Sequence, residues 1–482
     1  MSIISAIKGW WNRMFSNAVK KNFGVSGIES KSMKDAIKTW LNVYQGNSPW
    51  VDPVEDIKSI GFAQKICATI AELTTLDIDV QFDGKRKEYM QQFYNSSVAP
   101  KLREWVEFGC ACGSIILKPN GEGVDFVTPD RFEIIQKDGN HNITDIVFQD
   151  SYEADGKYYT KLERHRFWDA DVRMPDSEEY TRMTYYTIEN KAFVSKLSTE
   201  IGIPVDLKDT KWLKLQPEVH ITKKNDEKLN SMLFGLFKMP GANNIDLDSP
   251  LGLSAFGKAL EELRDLDVAY SRNSTEIFDS KRIVLVDERL VQMPATKDSK
   301  GNIIRNKLHL PKYAKNVNAD DQNSFYQEIN PQINIEQRKQ EIDFQLSLIG
   351  CKCGFSNGYF VLDEKTGMIT ATQVEADDRE TIQLIKDTRD KLKVCLDDLF
   401  YAQSVFADLY GLAPVGEYEA NYDFGDITFN AEEDRARALQ LANSGYFPKW
   451  YYLVRWEGFS EEEAKAMVEE AQPKEEGLFG EE

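Results

Sequence analysis

The sequence is poor in cysteine and histidine, and it has no long apolar run. Its 482 residues include 6 cysteines and 4 histidines. So few cysteines do not form the dense disulfide framework of small secreted domains, and we therefore expect the chain to fold in a reducing compartment such as the cytoplasm. No window reaches the roughly 18 consecutive apolar residues that a membrane span needs. We therefore expect that no segment crosses a bilayer.

Positive charge is also in short supply. The chain has 59 Lys and Arg residues against 79 Asp and Glu residues, which gives a formal charge of -20. A protein that holds nucleic acid by neutralising phosphates needs a basic footprint, so we expect any contact with DNA to be local or repulsive. Because 41% of the residues are hydrophobic, the chain can form two or more packed domains.

Common catalytic and metal-binding motifs are missing as well. The sequence has neither a Walker-type phosphate loop nor a Gly-x-Ser-x-Gly elbow. Two Cys-x-Cys pairs, Cys110/Cys112 and Cys351/Cys353, could bring four thiolates to one zinc ion. Structural zinc sites usually separate their cysteines by two to four residues, so small apolar side chains are the favoured interpretation. The histidines, which we interpret as core or surface residues, are His141, His165, His220 and His309. We predict no catalytic residue, no cofactor and no metal.

Adjacent carboxylates are the feature that most suggests an enzyme. Such pairs could in principle be ligands of a two-metal nuclease. Neighbouring residues on a helix point about 100° apart and do not converge, so solvated helix faces are the favoured interpretation. A metal-dependent nuclease or hydrolase is kept as the alternative function. The pairs are Glu261/Glu262, Asp377/Asp378 and Asp397/Asp398.

The first 21 residues form an amphipathic pattern. Their apolar residues share one side of a helical wheel, and four basic residues occupy the rest. A membrane-surface helix is one interpretation, and it would make the protein a peripheral scaffold. A terminal helix that docks on its own protein or on a partner is favoured. The apolar residues are Ile3, Ile4, Ile7, Trp10, Trp11, Met14 and Phe15.

The first 245 residues or so predict an α+β domain. Helices are expected at 55–75 and at 97–108, the second ending at Gly109. The short strands that follow alternate in polarity and are separated by Asn-Gly and Asp-Gly pairs, which favour tight hairpins. The predicted strands are 114–118, 124–127, 132–136, 143–148, 158–167 and 183–188.

The next region predicts two long helices around a small β module. Ser249 and Pro250 suit the start of a helix over 250–278, whose apolar face would be Leu253, Phe256, Leu260, Leu263, Tyr270 and Ile277. Strands are expected at 282–286 and 303–310, and a second helix returns from about residue 334 with Ile335, Ile342, Leu346 and Ile349 on one stripe. A loop then leads into a long, charge-rich helix with an apolar stripe at Val374, Ile382, Ile385, Leu392, Leu396 and Leu399. A strand signal at 422–429 and three short helices follow.

This order of parts resembles the portal proteins of long-tailed bacteriophages of Gram-positive hosts. The resemblance covers roughly residues 30–470. The segments that carry it are EFGCACGSIILKPN with VDFVTPDRFEII at 107–135, KYYTKLERHRF at 157–167, FKMPGANNIDLDSPLGLSAFGKALEELRDLDVAYSRNSTEI at 237–277, and GMITATQVEADDRETIQLIKD at 367–387.

The resemblance implies a portal fold with an α+β wing, paired stem helices, a small α/β clip, a tunnel helix and an α-helical crown. The implied divisions are an N-terminal amphipathic segment at 1–29, the wing at 30–249, the first stem helix at 250–278, the clip at 279–333, the second stem helix at 334–352, the tunnel-loop region at 353–370, the tunnel helix and return to the wing at 371–429, the crown at 430–471, and a flexible acidic tail at 472–482.

The resemblance also implies a function without catalysis. Portal proteins form a homo-oligomeric ring, normally of about twelve copies, by head-to-tail closure at one vertex of the capsid. Double-stranded DNA passes through the ring during packaging and ejection. The implied partners are the terminase large subunit, the head-completion adaptor, and the major capsid and scaffolding proteins, with no membrane. The implied location is the virion, after assembly in the host cytoplasm.

Two sets of residues become candidates in that context. Acidic residues of the long helices and polar residues of the loop are candidates for the DNA channel, because an acidic wall would not adhere to DNA. Salt bridges between subunits are an equally weighted role for the acidic ones. The channel candidates are Glu261, Asp265, Glu341, Ser356, Asn357, Lys365, Thr366, Thr370, Glu375 and Asp378. The candidates for docking of partners on the basic clip are Lys297, Lys300, Arg305, Lys307 and Lys312.

Overall fold

A computed structural model of the protein describes residues 15–121, 123–173, 180–222, 228–279, 283–287, 296–297, 300, 303–304, 314–317, 326–329, 335–360, 379–425, 438–444, 448–457, 459 and 461–470. Over these residues the fold is α+β. The chain divides into two compact units, Met1–Thr366 with Asp378–Phe424 and Gly367–Asp377 with Gly425–Glu482.

The first unit contains a large antiparallel sheet. Its described strands follow the order β4-β5-β6-β7-β8, and β9 pairs with β7. The predicted Asp-Gly turn between β5 and β6 is confirmed, since Asp155 and Gly156 both have positive φ, 52° and 66°, as tight hairpins of this type require. The bounds are β4 Phe132–Lys137, β5 Ile143–Ala154, β6 Lys157–Arg173, β7 Tyr180–Ser195, β8 Ile203–Val205 and β9 Glu218–Ile221.

An N-terminal helix, α1, packs on one face of this sheet. It comprises residues 15–23. Phe15 and Val19 are buried in a cluster with sheet residues, among them Val147 and Leu162. The chain then runs along the sheet edge, where the Ile28 amide donates to the β4 carbonyl of Ile134 at 2.9 Å. For residues 15–23 the favoured docking on the protein itself is therefore confirmed, while residues 1–14 lie outside the described part.

Helices α2 to α5 and two small sheets complete this part of the unit. The small sheets have the orders β10-β2-β3 and β1-β16, and all their pairs are antiparallel. A short π-helical segment, Tyr94–Val98, lies between α4 and α5. The bounds are α2 Lys31–Tyr44, α3 Phe62–Thr74, β1 Asp79–Gly84, α4 Lys87–Phe93, α5 Leu102–Cys112, β2 Ser114–Pro119, β3 Val124–Val127, β10 Gly235–Lys238 and β16 Tyr418–Asp423.

The predicted end of α5 at Gly109 is wrong, because the helix continues to Cys112. Gly109 lies inside the helix against Phe237, and an added Cβ would come within 2.3 Å of that ring. The left-handed cap is Gly113, with φ 80°, where a Cβ would lie 2.4 Å from the carbonyl oxygen of Gly252. One glycine thus permits close packing, and the other ends the helix.

The predicted helix from residue 55 begins later, at Phe62. The preceding segment is an irregular loop that donates hydrogen bonds to the distant carboxylate of Asp267. The Trp50 indole donates to Asp267 Oδ2 at 2.8 Å, and the Ile60 amide donates to Oδ1 at 2.8 Å. The Ile60 amide is therefore satisfied by a distant side chain, which stabilises the non-helical path of the loop.

Helices α6 and α7 lie on either side of a small β module in the chain. Helix α6 is Leu260–Asp279, ten residues later than the predicted start, because the chain from Pro250 to Phe256 is irregular and a 3₁₀ turn at Gly257–Ala259 precedes the helix. Helix α7 is Ile335–Cys353. The module contains a sheet of order β14-β11-β15 and the pair β12-β13. Its bounds are β11 Ile283–Asp287, β12 Thr296–Lys297, β13 Ile303–Ile304, β14 Ala314–Val317 and β15 Tyr326–Ile329.

The long charge-rich helix, α8, is Arg379–Tyr410, with 32 residues. Its predicted apolar stripe is confirmed for the buried residues Ile385, Leu392, Leu396 and Leu399, while Val374 lies outside the described part. Two buried arginines connect α8 with other parts of the first unit through hydrogen bonds. Arg389 donates to the Leu73 and Thr74 carbonyls at the end of α3, and Arg86 donates to Ser404 and Asp408 of α8.

The second unit contains, in its described part, three short helices, as predicted. They are α9 at residues 438–443, α10 Lys449–Glu457 and α11 Glu461–Glu470. Helices α10 and α11 contact each other, with the Lys465 ammonium 4.7 Å from the centre of the Trp450 ring. Ala464 and Tyr452 are buried.

Candidate functional site

Helices α6 and α7 pack as an antiparallel pair. The Lys352 ammonium, near the end of α7, lies 2.6 Å from Glu262 Oε1 in the first turn of α6. The β module connects the opposite ends of the two helices, so the chain passes up one helix and back along the other. The predicted antiparallel return is therefore present.

Three of the predicted channel carboxylates lie on this helix pair and reach the surface. Glu261 is exposed in the first turn of α6. Asp265 is also exposed, and its Oδ1 accepts from neighbouring Arg264 at 3.0 Å. Glu341 accepts from Arg338, one turn earlier on α7, at 3.0 Å. The two pairs that form are short-range and within one subunit, which contributes little to stability.

The loop candidates after α7 differ from one another. Asn357 is exposed and accepts from the Ser347 hydroxyl at 2.8 Å. Ser356 is only 3% exposed, and its hydroxyl accepts from the Thr381 amide and hydroxyl at 3.2 and 3.0 Å. Ser356 therefore fastens the loop to the start of α8. The hydroxyl is therefore buried in the subunit, and a role for Ser356 in a channel stays a prediction.

Most remaining candidates lie outside the described residues. Among the clip candidates, Lys297 is in strand β12 and Lys300 is exposed in a turn. The candidates outside the description are Arg305, Lys307, Lys312, Lys365, Thr366, Thr370, Glu375 and Asp378.

A cluster of charged side chains is buried between β6 of the large sheet and β2, where no functional residue is predicted. Glu163 on β6 accepts from Lys118 of β2 at 2.5 Å and from Lys161 at 2.6 Å. Burial alone would raise the pKa of Glu163, but the two ammonium groups hold it well below its usual range. The carboxylate is thus ionised between two cations.

His165 extends this network. Its Nε2 lies 2.6 Å from Glu163 Oε1, and its Nδ1 lies 2.6 Å from the Tyr186 hydroxyl. A carboxylate only accepts, so Nε2 carries the proton. Burial lowers the pKa of His165, so the ring is neutral and Nδ1 accepts from Tyr186. That hydroxyl in turn accepts from the Leu233 amide at 3.1 Å.

The members of this network are buried and bind one another. Lys118, Lys161 and Glu163 are each less than 10% exposed, and each has a hydrogen-bond partner within the network. The sequence signal was present, since polar residues at positions 161, 163 and 165 share one face of a strand. Such a Lys-x-Glu-x-His pattern is compatible with a solvated face as well as a buried one.

A second carboxylate cluster lies where α1, α2 and β4 meet. Glu133 Oε1 accepts from Lys34 at 2.9 Å and from Ser16 at 3.0 Å. Glu29 Oε1 accepts from the Ile134 amide at 3.2 Å. Within the described part of the chain, the Oε2 atoms of Glu29 and Glu133 are buried without a hydrogen-bond partner. Burial raises the pKa of Glu29 to about 7.

The cysteines do not assemble into a metal site in the described residues. Cys110 and Cys112 are buried near the end of α5, whereas in the second pair Cys351 is exposed and Cys353 is buried. Burial raises the pKa of Cys353 to about 12. Over the described ranges, no three His, Cys, Asp or Glu side chains converge as a group that could hold a metal ion.

Comparison of the chain with protein-family models and with curated proteins found no match to either. Among the described helices, none is both long enough and apolar enough to span a lipid bilayer.

Proposed function

We propose that the protein is a bacteriophage portal protein, a ring of identical subunits through which double-stranded DNA enters and leaves the capsid. The observation that carries this proposal is the antiparallel α6–α7 pair. It holds a small β module at one end, and from its other end the chain continues into a helix of 32 residues. At about 1.5 Å per residue α8 is about 48 Å long, well beyond an average globular helix.

The charge of the chain suits a conduit for DNA. A ring of twelve copies would have a formal charge of -240 (12 × -20). An acidic wall does not pair with phosphates, so a duplex passes without being held. The exposed carboxylates Glu261 and Asp265 on α6 are the described residues best suited to such a wall, with Glu375 and Asp378 as further candidates from the sequence.

The remaining roles follow from the same proposal. The β module is the clip that docks the terminase large subunit and later the head-completion adaptor, and its lysines suit acidic partner surfaces. The short helices of the second unit form the crown. The ring contacts major capsid and scaffolding proteins, assembles in the host cytoplasm, and becomes part of the virion.

Electron microscopy of the purified chain tests the proposal. We expect closed annular particles with a central hole and no cleavage of DNA when magnesium or manganese is added. Single subunits that cleave DNA only with one of these ions would instead support the metal-dependent nuclease.

Charge reversal tests the conduit itself. Glu261→Lys combined with Asp265→Lys should slow or stall DNA in a packaging assay, because lysines in the wall would pair with phosphates. The matched control is Glu218→Lys, which reverses an exposed carboxylate of the large sheet. If the double variant packages DNA at the wild-type rate, these two residues do not line the channel.

A further inference from the structure

One face of α7 carries a line of residues without charge, all exposed except Ser347, which is half-buried and donates to Asn357. The line repeats at intervals of three and four residues, which is the spacing of the contact positions in a coiled coil. It consists of Gln337, Gln340, Phe344, Ser347 and Cys351. Phe344, at its centre, is 61% exposed. The opposite side of the helix packs inward through Leu346 and Ile349, which are buried.

The absence of charge on this line is selective. Helix α7 has 19 residues, and every one of its charged residues lies off the line. These are Glu336, Arg338, Lys339, Glu341, Asp343 and Lys352. A surface kept for solvent is usually charged, whereas the centre of a protein–protein contact is depleted of charge and enriched in aromatic residues. An exposed phenylalanine on a neutral line therefore indicates a contact with another protein surface.

We propose that this neutral line, which we call the α7 seam, is the surface with which one copy of the chain docks on the next copy in the ring. The inference rests on the proposed function and deepens it by naming the face that is covered. A ring closes through head-to-tail contacts, so each subunit must bury a face of its own against a different face of its neighbour. The seam is the exposed helical face in the α6–α7 pair that lacks the carboxylates of a DNA-repelling wall.

The charges beside the seam favour a second copy of the chain as the partner that covers it. In the coiled-coil spacing, Glu336 and Glu341 fall at the positions that flank the contact. Helix α6 offers a cation of opposite sign, since Arg272 is exposed there. A neighbouring α6 could thus face the seam with complementary charge, whereas a DNA backbone would be repelled by the same glutamates.

Cys351 supplies a test that needs no engineered label. It is the exposed cysteine of the six, and the other five are buried. Purified rings and dispersed subunits are treated with iodoacetamide and, separately, with a maleimide carrying a large polymer. We expect both reagents to modify Cys351 in dispersed subunits and neither to modify it in rings. Cys351→Ser gives the background for both reagents.

The two reagents separate the possible outcomes. If iodoacetamide modifies Cys351 in intact rings, the seam faces solvent or the bore, and the inference is overturned while the ring stands. If the wild-type chain forms no ring under any condition, the proposed function fails, and the inference fails with it. Loss of modification by both reagents in rings supports the contact.

A pair of charge insertions provides the second test. Phe344→Glu should abolish the ring, because it places an unpaired charge at the centre of the contact. Leu213→Glu is the matched control, since Leu213 is 59% exposed in the first unit but lies outside α7. Circular dichroism and the unfolding midpoint verify that both variants are folded. Rings of Phe344→Glu with the wild-type size and yield would overturn the inference.

Discussion

In the large sheet, a cluster of charged side chains around Glu163 lies inside the protein, whereas the described charged side chains of α6 and α7, apart from the buried Asp267, reach its surface. Glu163 is 6% exposed and contacts two lysines and a histidine. Glu341 on α7 is paired with Arg338 of the same helix, and its side chain is 41% exposed. The same residue type therefore has different consequences. Around Glu163 the charges are buried against one another, while on the helix pair most of them face solvent.

The largest expected effect comes from breaking the buried network with Glu163→Gln. The change removes one negative charge and deprives the buried Lys118 and Lys161 of the carboxylate that both contact. Breaking a buried pair in this way costs about 3–5 kcal/mol. Urea unfolding of the full chain measures the loss. Glu218→Gln, at an exposed carboxylate of the same sheet, is the control and should cost less than about 1 kcal/mol.

Glu29→Gln should stabilise the protein at neutral and higher pH, in contrast to the loss of stability expected for Glu163→Gln. Burial raises the folded-state pKa of Glu29 from 4.5 to about 7. The folded state therefore holds this proton more tightly than the unfolded chain does. The resulting contribution to stability is complete below pH 4.5 and is lost as the pH rises through 7. The neutral glutamine avoids this loss. We expect the variant to be more stable than wild type by about 2–3 kcal/mol at pH 8 and equally stable near pH 4. A gain that is independent of pH would contradict the assignment.

His165 should make the sheet sensitive to acid. Its folded-state pKa is lowered by burial, so the unfolded chain binds a proton first, and stability falls as the pH drops below about 6.5. The slope for one proton is at most about 1.4 kcal/mol per pH unit. It is best measured in the Glu29→Gln background, where the opposing titration of Glu29 is absent. Adding His165→Gln should flatten the slope even if it lowers the midpoint.

The smallest effect is expected at Glu341. Glu341→Gln removes a pair between residues three apart on an exposed helix face, and such pairs contribute about 0.2–0.5 kcal/mol. The unfolding midpoint should therefore change little, in contrast to the identical chemical change at Glu163. A loss as large as that of Glu163→Gln would mean that the surface charges of α7 contribute to the fold as strongly as those of the sheet.

The sequence predicts the hairpins of the large sheet well, because alternation of polarity and Asp-Gly turns are local signals. The strands β4 to β7 and the turn at Gly156 are found where they are expected. The lengths of β6 and β7 are underestimated, since residues 167–173 pair with 180–186 beyond the part of β6 that pairs with β5. Polar strand residues in such a hairpin carry no apolar pattern to reveal them.

The misjudged residues are those whose role depends on distant partners. Gly109 is predicted as a helix cap because the local sequence cannot show that Phe237 lies against it. Tyr270 is predicted on the apolar face of α6 but is 42% exposed. On the charge-rich α8, Arg389 is 7% exposed and donates to carbonyls of α3. For Gly109 and Arg389 the deciding contact is with a segment more than a hundred residues away.

The residues that face a channel cannot be identified from the sequence alone, because this too depends on contacts with distant segments or other molecules. Helical periodicity identifies the buried stripe, as at Leu346 and Ile349, but it does not distinguish a face that meets a neighbour from one that meets DNA. The burial of Ser356 could not be predicted because its partner, Thr381, lies 25 residues further along the chain. The neutral seam of α7 became evident only once the structure located the buried side of the helix.

Native mass spectrometry of the purified chain tests side-by-side association most directly. We predict a single closed species at about twelve times the 55.2 kDa mass of the subunit, with Phe344→Glu shifting it to single subunits that remain folded. A wild-type chain that stays at the subunit mass at every protein and salt concentration would contradict the account.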